Sequence, residues 1–394
     1  MLSVASILVY TRLYIDEDFG LWGIFMALVM IGKTIACGGF HVCLMLPKEE
    51  STARDLLSIS YWFNWLTIII SIVAVCALIH FFPQSVSESQ HLLFIFGVPL
   101  SIFLEGKSQA IHNWLNRDMR YKEMSWTTVT QTLTTVFFSI LLGWVNTDYN
   151  GMVLGTLIGQ FAMLATLLYF SKLPFFIRPA LDKMKVAFKE YRSFFTLGVT
   201  GNLINNSASQ LPFIFFGVTF GEGLNGQFST AQQKILSAPV NLVSAAVSPV
   251  FFKESNKAHL AQDGSLKKLV NQLNLVMWAM IIVPVIVVMM WGPEIFAFVL
   301  GEEWVRAGMY AQWLAPLMGV RFVTHPMSYL LDVKQRLSAQ LAFNILLLCA
   351  TLIIFHPPIL GLDDFTTIKV FGVSFFSLQL MFLMYLFHLR KDDA

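Results

Sequence analysis

The 394-residue chain is short of charge. Asp, Glu, Lys and Arg together make up 13% of it, about half the share in an ordinary soluble domain, too little to keep a soluble surface wetted. Cysteine is also scarce. Cys37, Cys43, Cys76 and Cys349 lie singly in apolar runs, and none has a histidine pair at zinc-ligand spacing. Neither a metal centre nor a disulfide framework is indicated. A Walker A sequence, a GxSxG elbow and an HExxH pair are all missing, and no connection exceeds about twenty-five residues. An ATP-driven cycle within the chain is excluded, and no cofactor is expected. The net charge of +2 is too small to attract nucleic acid.

What the chain has instead is apolar mass. Hydrophobic residues make up 56%, with 36 Phe and 10 Trp, more than a soluble core of this size could hide. Lipid is therefore the solvent for most of the chain. A bilayer core needs about 20 apolar helical residues to cross it, and eleven segments qualify. They are Phe19–Leu46, Leu57–Phe82, Leu92–Leu115, Met124–Val145, Gly151–Phe170 and Phe194–Phe220, then Gly226–Phe252, Leu275–Leu300, Gly308–Leu331, Leu337–Phe355 and Phe365–Leu389. None alternates in polarity as a barrel strand does, so helices are expected. A further run, Leu2–Tyr10, is too short to cross, because Met1 to Arg12 spans about 18 Å as a helix. It lacks a basic leader and is followed by Asp16-Glu17-Asp18, unlike a signal peptide. It reads as the second half of a first span that is abbreviated or starts upstream.

Counting that piece as the first of twelve, 19 basic residues fall in the even-numbered connections and the C-terminal tail. Only Arg12, Arg306 and Lys369 fall on the other side, which places both termini in the cytoplasm. The longest polar connection carries Lys172, Arg178, Lys183, Lys185, Lys189 and Arg192. Within it Leu181, Met184, Phe188, Tyr191 and Phe195 recur at helical spacing, the pattern of an amphipathic helix lying on an anionic surface. This divides the chain into an N-terminal lobe 1–171, a cytoplasmic linker 172–193 and a C-terminal lobe 194–394. Asp18-Phe19-Gly20 and Asn225-Gly226-Gln227 open corresponding spans, and Arg117–Arg120 corresponds to Val333–Arg336. Two parallel six-helix repeats of this kind are expected to hold a substrate site between them. The expected fold class is thus an all-α integral membrane protein of about twelve transmembrane helices in two lobes.

Ionisable side chains inside spans face a cavity or a partner. Four cations qualify: Lys33, Lys107, Lys234 and Arg321, with Lys107 near enough to the cytoplasmic end to snorkel. Thr230, Lys234, Ser237, Asn241, Ser244 and Ser248 are spaced to share one helix face, and Asn202, Asn206, Ser209 and Gln210 form a shorter stripe. Helix–helix hydrogen bonding explains Ser and Thr well but explains Lys234 poorly. Lys33, Lys107, Asn206, Gln210, Lys234, Asn241 and Arg321 are therefore the candidate substrate-binding residues. Cations with amides and hydroxyls suit an anionic, hydroxyl-rich substrate, since phosphate charge cannot be buried without them.

Arg12-Leu13-Tyr14 with Asp18-Phe19-Gly20 resembles the opening motif of bacterial polysaccharide flippases of the O-antigen type. Trp114-Leu115-Asn116-Arg117, Arg120-Tyr121, Gly159-Gln160, Asn225-Gly226-Gln227-Phe228-Ser229 and Leu300-Gly301-Glu302-Glu303-Trp304 are similar to that family's later motifs. The family belongs to the multidrug/oligosaccharidyl-lipid/polysaccharide exporter superfamily. The resemblance implies twelve helices and translocation of polyprenyl-pyrophosphate-linked oligosaccharide across the bacterial inner membrane by alternating access, for surface polysaccharide and lipopolysaccharide biosynthesis. It also implies ion coupling, for which Glu105 and His41 are the candidates here, and working contact with other polysaccharide assembly proteins. The chain is then not an enzyme. A drug/cation antiporter of the same superfamily would call for intramembrane carboxylates in spans 1 and 7, which are missing. A membrane-embedded polymerase or ligase would call for a large outer loop.

Overall fold

The computed structural model describes residues 6–81, 86, 88–145, 149–177, 181–261, 263–355 and 361–389. All regular elements among them are helical. The chain forms two compact units, Met1–Gly226 and Gln227–Ala394.

The first unit begins with a short helix, α1 (Ile7–Leu13), and then α2 (Asp16–Ile35). The question of the chain's start falls on Met1 to Ala5, outside the described residues. Tyr14 fastens α1 to the bundle by donating its hydroxyl to the Ser139 carbonyl. The span expected to run from Phe19 to Leu46 stops at Ile35. Gly38 and Gly39 take φ of +56° and +75°, a left-handed backbone that a side chain disfavours, so the chain breaks and restarts as α3 (Phe40–Cys43). Next come α4 (Glu50–Phe81), α5 (His91–Arg117), α6 (Tyr121–Val145) and α7 (Gly151–Ser171). α6 and α7 touch backbone to backbone because Gly155 and Gly159 face Ser139 and Thr135. A Cβ on Gly159 would lie 1.9 Å from Thr135 Oγ1. This is the small-residue packing that association in lipid favours.

The linker contains α8 (Leu181–Ser193), whose apolar side packs on α4. Phe188 stacks parallel to Phe63 with ring centroids 6.3 Å apart and also meets Phe40. Arg178 lies outside the described residues. One turn of π-helix (Phe194–Val199) leads into α9 (Thr200–Phe220), which packs on α2.

The next long helix crosses the boundary between the units. It comprises α10 (Glu222–Ser229), a π-helical segment (Thr230–Leu236) and α11 (Ser237–Ala261). The second unit continues with α12 (Ser265–Leu300), bent where Trp291 leaves helical geometry before Gly292-Pro293. It ends with α13 (Val305–Met327), α14 (Leu330–Val333), α15 (Leu337–Phe355) and α16 (Asp364–Leu389). Gly292 and Gly308 let α12 and α13 meet backbone to backbone. Basic residues Arg390 and Lys391 of the tail lie outside the described residues.

Among the described residues, nine helical stretches are long and apolar enough to cross a membrane. α9 and α13 are long enough but too polar to be among them. They carry Asn202, Asn205, Asn206 and Gln210, and Arg306, Arg321 and His325. Amides and cations along a helix lower its apolar signal by that much.

Candidate functional site

In the first unit three helices contribute to one polar cluster, and a fourth bonds α2 at the following residue. Lys33 on α2 and Glu105 on α5 form an ion pair at 3.9 Å, with side chains 24% and 18% exposed, so both are shielded without being sealed. Gln131 on α6 donates its amide to Glu105 Oε1 at 3.4 Å. Next to Lys33, Thr34 accepts a 2.7 Å hydrogen bond from the Asn206 side chain on α9. Gln210 follows one turn beyond Asn206 and is half-buried. The close approach of the helices makes this possible. A Cβ on Gly106 would lie 2.6 Å from Ala36 Cβ and 2.4 Å from Asn64 Oδ1, and Asn64 donates to the Phe103 carbonyl at 2.9 Å. Thr34 and Asn64 carry no sequence signal that separates them from ordinary helix-bonding residues.

Two expected residues stand apart from this cluster. Lys107, although only two residues beyond Glu105, is 1% exposed. It neither snorkels nor reaches Lys33. Its ammonium donates to the Phe175 carbonyl in the linker and lies 3.6 Å from the Phe175 ring centroid and 4.4 Å from that of Tyr61. An aromatic cage of this kind holds a cation through the ring quadrupoles. His41 sits on α3, past the glycine break, with a buried Nδ1 that has no hydrogen-bond partner among the described residues.

In the second unit the helix carrying Lys234 packs on α13, which carries Arg321. Ser237 Oγ meets Met318 Sδ at 3.9 Å. Lys234 and Arg321 are each three residues from this contact, one helical turn away. Both are half-buried, and Thr324, a turn beyond Arg321, donates to Gln379 on α16 at 3.1 Å. The six-residue stripe does not hold as a single face. Lys234 lies within the π-helical segment, whose i→i+5 bonding shifts the helical phase. Asn241 is exposed while Thr230, Ser244 and Ser248 are buried. In exchange the segment internalises neighbours that an α-helical count passes over. Thr230 Oγ1, Gln232 Oε1, Gln233 Nε2, Ser244 Oγ and Ser248 Oγ are all buried with no hydrogen-bond partner among the described residues. Buried polar atoms usually find partners, so five along one helix are an unusual concentration of polar groups. The described residues hold no cluster of metal-ligating side chains.

A sequence profile described as polysaccharide biosynthesis protein matches residues 9–308. The chain belongs to this family. Its fold is shared with transporters of the MOP superfamily. An inward-facing multidrug-resistance MATE transporter aligns with a TM-score of 0.71 at 12% identity, over 100% of this chain and 96% of that one. The lipid II flippase MurJ, in an inward closed conformation, aligns with a TM-score of 0.73 at 13% identity, over 100% and 88%. A MOP-superfamily transporter from Pyrococcus furiosus, described as having a binding pocket of reverse polarity, aligns with a TM-score of 0.57 at 13% identity, over 98% and 92%. No curated protein sequence matches.

The motifs that carry the family resemblance turn out to be joints. Asn225 donates its side chain to the Gly20 carbonyl at 3.0 Å, where a Cβ on Gly20 would strike the Glu222 carbonyl. Gln227 donates to the Glu303 carbonyl at 2.9 Å and accepts from the Ala307 amide at 3.0 Å. Arg117 donates to the Leu44 carbonyl at 2.7 Å, and Arg120 to that of Phe170 at 3.0 Å. Gln160 accepts a 2.7 Å hydrogen bond from Ser101. In this family member these motif residues join neighbouring helices and connections, and the cations of the candidate site lie outside the motifs.

Proposed function

We propose that the chain moves a polyprenyl-pyrophosphate-linked oligosaccharide across the bacterial inner membrane by alternating access, for assembly of surface polysaccharide such as lipopolysaccharide, and that it performs no covalent chemistry. The supporting observation is the presence of cations on the polar faces of membrane helices: Lys33 in the first unit, Lys234 and Arg321 in the second. A pyrophosphate leaving water loses a large hydration energy, which fixed ammonium and guanidinium groups replace. Asn206, Gln210 and Asn241, with Gln232 and Gln233, supply amide donors and acceptors for sugar hydroxyls, while the lipid tail remains in the bilayer.

The lobes 1–171 and 194–394, joined by 172–193, are the bodies that exchange access in this reading, and both termini are cytoplasmic. Glu105 is the coupling carboxylate. It is already paired with Lys33, so a coupling ion and the substrate would compete for the same pair. Lys107 and His41 stand apart from the cluster, and Lys107 serves to tether the linker. A drug/cation antiporter would need carboxylates where these cations stand.

The test is surface polysaccharide export in a strain lacking the chromosomal copy, complemented with Lys33→Gln, Lys234→Gln and Arg321→Gln singly and together. Each single change is expected to reduce export and the triple change to abolish it at normal protein level. Export by the triple variant equal to wild type would overturn the assignment. Reconstitution with a labelled lipid-linked oligosaccharide then identifies the cargo.

A further inference from the structure

Within the first unit, the linker helix α8 and the early turns of α4 leave a hollow of about 320 Å³ between them. Ile59, Trp62, Phe63, Met184, Lys185 and Phe188 line it, five apolar residues and one cation. Its rings are fixed in place, because Phe63 packs on Phe195 with centroids 5.3 Å apart and Phe188 packs on Phe40 at 5.4 Å. Trp62 is nevertheless 54% exposed and Phe188 37%, so both still offer apolar surface. The hollow lies at a definite depth. Asp55 is the last charged residue of α4, and no Asp, Glu, Lys or Arg follows from Leu56 to Phe81. Ile59 to Phe63 lie about 6–12 Å along the helix axis beyond Asp55, the level at which lipid headgroups give way to acyl chains. Trp62 and Trp65 at that level match the aromatic belt of a membrane interface.

The charge of the hollow has one sign. No carboxylate lines it, and Lys185 is exposed and forms no ion pair among the described residues. Lys189 and Arg192 follow at one and two turns, also exposed, on the same side of α8 as Lys185, whereas Glu190 lies about 140° around the helix. Over Leu181–Ser193 the sequence holds four basic residues against two acidic ones. An apolar slot below a free ammonium, at the boundary between headgroups and chains, has the layout of an amphiphile with an anionic head. We propose that this hollow is a site for one anionic glycerophospholipid, with an acyl chain laid between Trp62 and Phe188 and its phosphate on the Lys185 ammonium. The chain covers rings that α8 and α4 leave open, and the phosphate takes a charge-assisted hydrogen bond. The proposal goes beyond the transport reading and depends only on α4 crossing the bilayer.

The test uses the purified full-length chain in phosphatidylcholine nanodiscs carrying a varied minor fraction of lipid brominated on its chains, either phosphatidylglycerol or phosphatidylcholine. Bromine quenches tryptophan on contact, and the Trp62 signal is the difference between wild type and Trp62→Phe. Phosphatidylglycerol is expected to reach half-maximal quenching of Trp62 at a mole fraction about fivefold lower than phosphatidylcholine, the preference that one basic side chain near the surface confers. Lys185→Gln is expected to erase this preference and Lys185→Arg to keep it. Lys189→Gln, which removes a cation outside the hollow, is expected to change it by less than about twofold. Equal quenching by the two lipids would mean an unselective lipid annulus and would overturn the proposal, as would an unchanged preference in Lys185→Gln. A loss in Lys189→Gln equal to that in Lys185→Gln would overturn it in favour of diffuse surface attraction. Unlabelled polyprenyl phosphate relieving the quenching better than unlabelled phosphatidylglycerol would overturn it too, assigning the groove to an isoprenoid carrier. No transport is measured, so none of these outcomes bears on the transport reading.

Discussion

Replacing Lys107 with Met removes a charge while keeping an unbranched apolar stem of similar length, and the structure assigns this change a definite outcome. The lysine makes one charge-assisted hydrogen bond, to the Phe175 carbonyl, in a site 1% exposed. Such a bond contributes about 1.5–3 kcal/mol. Its position 3.6 Å from the Phe175 centroid and 4.4 Å from that of Tyr61 adds about 1 kcal/mol of cation–π attraction. The methionine sulfur recovers about 1 kcal/mol against the same rings. The net loss is about 2 kcal/mol, concentrated where Leu173–Ile177 lies on α4 and α5. Global unfolding would register little of this, but local opening of the linker would become about 30-fold more frequent. Chymotrypsin cleavage after Phe175 and Phe176 reads that population directly, provided closing outpaces cutting. The expected result in inside-out vesicles is a cleavage rate in Lys107→Met about 30-fold above wild type, with sites in the helical spans unchanged. A rate within about twofold of wild type, or a lower one, would refute the reasoning. It would mean that desolvating the ammonium costs more than the cage returns.

Two structural predictions concern the first unit. Asn150 caps α7 by accepting from the Met152 and Val153 amides at 3.0 and 3.1 Å, and donates to the Asp18 carbonyl at 2.8 Å. Asn150→Ala is expected to lower stability by about 2 kcal/mol in a thermal melt in detergent, combining a lost cap with a lost interhelical bond. Asn150→Ser, which retains a cap acceptor without setting a carboxylate against Asp18, is expected to cost less, and equal losses would refute this account. Gly159→Ala places a methyl group 1.9 Å from Thr135 Oγ1 and 3.0 Å from the Gln131 carbonyl. A stability loss of about 1–3 kcal/mol is expected, partly relieved by adding Thr135→Ala; an undiminished loss in the double variant would show that the backbone, not the hydroxyl, sets the limit.

The sequence by itself was enough to read nine helical stretches, among the described residues, as long and apolar enough to cross a membrane. Apolar runs of bilayer length, helical spacing in the linker and the bias of Lys and Arg are local properties, legible because each segment must satisfy its own backbone in hydrocarbon. The cost of an ionisable group in a span likewise singled out Lys33, Lys107, Lys234 and Arg321 before any fold was known. Which of them meet a partner was not legible. Lys107 and Glu105 are two residues apart on α5, yet one is caged by the linker and the other meets Lys33, because helix faces a hundred degrees apart per residue look onto different neighbours. The Gly38-Gly39 break and the π-helical turn at Lys234 escaped for a related reason. Periodicity counting presumes an unbroken α-helix, and a single left-handed residue or one extra residue per turn resets the phase of everything after it. Only tertiary packing decided that Gly106 would admit Asn64 and Ala36 closely enough for α2 and α5 to pair their charges.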